Sequence, residues 1–114
     1  MMEQALRDAG FTGVELVDGV IYARSNPALP EFTATETADG WQLALAWPLR
    51  ATDAQIAAWT ALHPVAPMDV YQGETRITLT ATAESLSLWA ELVEAMVAQC
   101  VAWRRSTRQR DEGM

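Results

Sequence analysis

The chain has 114 residues, half of them apolar and a fifth charged, with a net charge of −7 at pH 7. That composition suits one globular domain with one modest core, and the acidic balance argues against nucleic acid or an anionic membrane as partners of the folded body. A lone cysteine, Cys100, excludes an internal disulfide and a cysteine-clustered metal site.

The charge is uneven. Residues 1–103 carry thirteen acidic side chains against four arginines, whereas residues 104–114 carry Arg104, Arg105, Arg108 and Arg110 against Asp111 and Glu112, and the chain has no lysine. The opening residues Met1-Met2-Glu3-Gln4-Ala5-Leu6-Arg7-Asp8 lack the basic-then-apolar pattern of a secretory signal. Glu91 and Glu94 interrupt the longest apolar stretch, so no uncharged run has membrane-spanning length. A cytoplasmic location is the expectation.

In chain order, residues 2–9 read as a short helix with Met2, Ala5, Leu6 and Ala9 along one side, stopped by Gly10 as its C′ residue. Phe11 then folds under the helix end. Asp18-Gly19 suits a type I′ turn between two very short strands or simply precedes a strand at Val20 to Arg24; residues 14–17 stay open. A clear hairpin covers Glu31 to Trp47, and a two-residue turn at Asp39-Gly40 sets Ala38 opposite Trp41, Glu36 opposite Leu43 and Phe32 opposite Trp47. The period of two places Phe32, Ala34, Trp41, Leu43, Leu45 and Trp47 on one bulky face, with Thr33, Thr35, Thr37, Gln42, Ala44 and Ala46 on the other. One bulky and one small, polar face predict a sheet covered by helices on one side.

Thr52 and Gln55 form a predicted capping box for a helix running to about Leu62, with Ile56, Trp59 and Leu62 buried and Pro64 forbidding extension. A second hairpin, Met68 to Ala81, turns at Gln72-Gly73 or Gly73-Glu74. Both registers put Met68, Val70, Ile77 and Leu79 on the core face, and the first pairs Asp69 with Arg76.

The last helix is predicted from Thr82, its N-cap, to Arg105. Leu86, Trp89, Val93, Met96, Cys100 and Trp103 repeat at alternating spacings of three and four, and Leu92, Val97 and Val101 widen the stripe to roughly half the circumference. A lid over one sheet needs little more than about 100°. The excess marks Trp89, Ala90, Leu92, Val93, Val97, Val101 and Trp103 as a candidate partner or dimer interface. Arg104 and Arg105 would complement the helix C-terminus, and residues 106–114 read as a flexible, basic-then-acidic tail after a single domain at 1–105.

The order is thus α-β-β-β-α-β-β-α, an α+β fold with an antiparallel sheet and helices mainly on one face. With Leu6-Arg7-Asp8-Ala9-Gly10-Phe11, Asp18-Gly19-Val20, Asp39-Gly40-Trp41-Gln42-Leu43, the Gly73-centred hairpin and the long final helix, the chain resembles the YbjN-like family of small bacterial proteins. It also shares its order of elements with class I type III secretion chaperones. The resemblance spans nearly the whole chain and implies an antiparallel sheet packed by helices, often acidic and often dimeric; it supplies no catalytic residues. The chain is shorter than a typical secretion chaperone, with a briefer first helix.

Residues that carry chemistry are few. His63, the one histidine, precedes Pro64 at a helix end and has no companion at metal-ligand spacing. Cys100 lies on the apolar stripe, where burial disfavours a thiolate. Glu36 points to the bulky face but near the turn, at the rim. The glycines form neither a P-loop nor a dinucleotide fingerprint, and the tryptophans Trp41, Trp47, Trp59, Trp89 and Trp103 lack the basic groove of a base-stacking protein. These features favour a non-enzymatic protein-binding module, chaperone-like or regulatory, acting as a homodimer on a protein client, with no cofactor, metal, nucleic acid or membrane. The alternative is a small-molecule sensor with an apolar pocket between the Trp41/Trp47 sheet face and the helices.

Overall fold

A computed structural model describes residues 2–112, the side chains of Ala83 and of residues 107–112 excepted. Its elements are α1 (Met2–Asp8), β1 (Thr12–Val17), β2 (Val20–Arg24), β3 (Glu31–Thr37), β4 (Gly40–Trp47), α2 (Asp53–Leu62), β5 (Met68–Tyr71), β6 (Glu74–Ala81), a 3₁₀ turn at Ala83–Ser85 and α3 (Leu86–Glu112). The six strands form one antiparallel sheet in the order β1-β2-β3-β4-β6-β5. The α+β class holds. The order gains a strand over the expected one, because Asp18 and Gly19 both adopt positive φ, 51° and 83°, and fold residues 12–17 back as a full partner of β2.

Cross-strand register builds the core row by row. Ile21, Ala34, Leu43 and Leu79 align in one row, and Ala23, Phe32, Ile77 and Met68 belong to the next, with Leu45 beside Ile77. All of these are buried, and Phe32 joins the sheet to the helices through edge-on contacts of 5.5 Å with both Phe11 and Trp89. The opposite face carries Thr33, Thr35, Gln42, Ala44, Thr78 and Thr80 and is half-exposed or exposed. Small and hydroxylic side chains make that face tolerable in water, so the helices are needed on one side only.

The hairpins correct one register and settle another. Thr37 pairs with Gly40, so Glu36 lies opposite Trp41 and Ala34 opposite Leu43, two residues away from the expected pairing. A primed two-residue turn at Asp39-Gly40 needs positive φ at both residues, but only Gly40 has it, at 123°. The Thr37 hydroxyl instead takes the Asp39 amide at 3.3 Å and donates to the Gly40 carbonyl at 2.8 Å, moving the turn to Ala38-Asp39. A slip of two preserves the faces. In the second hairpin Gln72 and Gly73 both have positive φ, 53° and 80°, and Asp69 faces Arg76 in a two-pronged ion pair with N···O distances of 3.0 and 2.7 Å.

The helix caps follow the sequence closely. Phe11 donates its amide to the Leu6 carbonyl at 3.0 Å, wrapping under α1 through Gly10 at φ 92°. Thr52 and Gln55 exchange both bonds of the capping box, at 2.9 and 3.2 Å. The expected burial of Leu62 fails: it is 77 % exposed. The α2 helix packs at the β5 edge of the sheet, where Trp59 is buried and Ile56 is half-buried against the core, and Leu62 points outward.

The α3 helix continues to Glu112, beyond the expected end at Arg105. At about 1.5 Å per residue its 27 residues span roughly 40 Å, against roughly 26 Å for the longest strands. The molecule is accordingly elongated, 52 × 27 × 24 Å. The stretch Leu86–Ser106 is long and apolar enough to cross a membrane by length and composition. Within it Leu86, Trp89, Leu92, Val93, Met96 and Cys100 are buried against the sheet and the other helices, whereas Leu88 is exposed and Val97 and Val101 are half-exposed.

Candidate functional site

The buried residues of α3 span roughly 120° of its circumference. Trp89, Leu92 and Val93, three of the seven residues assigned to a partner surface, are 0–3 % exposed and serve the core of their own chain. The other four, Ala90, Val97, Val101 and Trp103, are half-exposed. Ala90 and Trp103 pack against the core cluster from its margins. Val97 and Val101, one turn apart on one flank, are the residues left with apolar surface to cover.

Where this flank passes the end of β4, the helix and the sheet border a half-open pocket of about 140 Å³ lined by Trp47, Val101, Arg104 and Arg105. The sequence leads to a pocket against Trp47, but the residues around it differ from the expected set. Trp41 takes no part, and the side chains of Arg104 and Arg105 join Trp47 and Val101 in a lining that is mainly apolar. The sequence assigned Arg104 and Arg105 to the helix C-terminus. Helix dipole effects fade within the last turn, and α3 runs on to Glu112, so that explanation is overturned. Arg104 donates to the main-chain carbonyl of Pro48, a neutral acceptor. Among the described residues the single ion pair is Arg76–Asp69, which leaves both pocket arginines without a carboxylate.

Trp47 contributes a second polar feature. Its indole Nε1 is buried and has no acceptor among the described residues. Trp89 shares that property but lies fully enclosed in the core. The Thr12 hydroxyl oxygen is likewise buried without a partner among the described residues.

The remaining chemical candidates are separated. His63 caps the C-terminus of α2, with its ring 4.1 Å from that of Trp59, an aromatic contact that accounts for its position. Cys100 lies beneath α3, completely enclosed, and burial pushes its thiol up to about 11 while Arg104 acts weakly in the other direction. Glu36 is exposed beside Trp41 at the rim of the sheet. No cluster of three potential metal-ligating His, Cys, Asp or Glu side chains occurs among the described residues. Sequence reasoning missed the pocket arginines as a pair with Trp47, because 57 residues separate Trp47 from Arg104 and nothing local connects them. No protein family, curated protein or solved structure shows significant similarity to the chain.

Proposed function

We propose that the protein is a non-enzymatic protein-binding module that acts as a homodimer, two copies pairing through the Val97/Val101 flank of α3. The observation that carries this reading is the length of α3. Cys100 is its last buried residue among those described, yet the helix continues for about three further turns. Isolated helical segments of that length are marginal in water, and most helical stability comes from packing. A second copy supplies that packing where the chain's own sheet has ended.

Charge favours an antiparallel arrangement about a two-fold axis. The first half of the helical region carries Glu84, Glu91 and Glu94, and the second half Arg104, Arg105, Arg108 and Arg110. With Val97 of each copy beside Val101 of the other, Glu94 comes opposite Arg104, and the basic end of each helix lies along the acidic start of its mate. The resemblance to YbjN-like proteins and secretion chaperones points the same way, toward an acidic, dimeric, chaperone-like or regulatory protein with a protein client in the cytoplasm.

Size-exclusion chromatography with light scattering tests the pairing. The wild type should elute at twice the chain mass, and Val101→Glu at the chain mass with an unchanged far-UV circular dichroism spectrum. A wild-type monomer at high concentration removes the proposal. Val93→Glu is unsuited to this purpose, because a charge on a fully enclosed side chain unfolds the protomer itself.

A further inference from the structure

We draw no further inference here: the strongest candidate, the outer face of α2, where Ala54, Ala57, Ala58 and Ala61 form an exposed stripe beside the exposed Leu62 and Val65, is an unpartnered apolar face, and nothing in the structure shows what covers it.

Discussion

The indole of Trp59 donates its N–H to the main-chain carbonyl of Ala66 at 2.8 Å, and both residues are buried. This bond closes the loop through Pro64 and Pro67 onto α2 and brings the chain to the start of β5, where the Met68 amide donates to Thr60 Oγ1 at 3.2 Å. Trp59→Phe keeps an aromatic ring but strands the Ala66 carbonyl and leaves a gap. A loss of about 2–3 kcal/mol is expected, read as a lower midpoint in urea unfolding. Leu62→Gln, three residues along the same helix but exposed, should change stability by less than about 0.5 kcal/mol.

Thr75 is the one polar side chain among the described residues that is buried completely in the core, and it fixes the crossing from β4 to α2. Its hydroxyl accepts from the Ala51 amide at 2.9 Å and donates to the Leu49 carbonyl, to which the Thr75 amide also donates, at 2.8 Å. Thr75→Val keeps the shape and removes the hydroxyl, so the buried Ala51 amide loses its acceptor. The expected cost is roughly 1–3 kcal/mol in chemical denaturation, with Thr75→Ser retaining most of the wild-type stability.

The enclosed Cys100 makes stability depend on alkaline pH. Its thiol ionises near 9.0 in an unfolded chain and near 11 in the folded one. Between those values the unfolded state gives up the proton first, so the folded state is progressively disfavoured as pH rises. Each tenfold difference between the two ionisation constants is worth about 1.4 kcal/mol, so roughly 2 kcal/mol is lost across this window. Unfolding of wild type and Cys100→Ala measured from pH 8 to pH 11 should show this decline in the first and a shallower one in the second. Iodoacetamide should label native Cys100 only as fast as the protein opens.

Much of the fold is legible because its determinants are local. Thr52 and Gln55 cap α2 from three residues apart, Gly10 ends α1 by its own conformation, and alternation along β4 sorts Leu43 and Leu45 from Gln42 and Ala44 without reference to any partner strand. What fails depends on distant geometry. The Thr37 hydroxyl decides the turn against the Asp39-Gly40 pattern, Leu62 is exposed because the sheet ends beneath α2, and the role of Thr75 depends on a carbonyl 26 residues away. The candidate site divides in the same manner. The periodic stripe of α3 announces Val97 and Val101, but only the assembled structure shows that Trp89, Leu92 and Val93 are spent inside and that Trp47 meets Arg104.

The proposed pairing makes its strongest demand on charge order along α3. If two copies run antiparallel with Val97 beside Val101, Glu94 of each lies opposite Arg104 of the other, twice per dimer. Glu94→Arg then creates two facing pairs of like charge and should shift the protein toward monomer in light scattering; Arg104→Glu should do the same. Combining them exchanges the charges without changing their complementarity, so the double variant should recover most of the dimer. Direct cross-helix pairs of exposed charges contribute about 0.2–1 kcal/mol each, and two of them correspond to a several-fold change in dissociation constant, with the single variants most impaired at low salt. Loss of the Arg104–Pro48 bond is common to Arg104→Glu and the double variant, so recovery in the double cannot come from that contact. Equal impairment of all three variants would assign Arg104 to its own chain and Glu94 to solvent, and would exclude the antiparallel register.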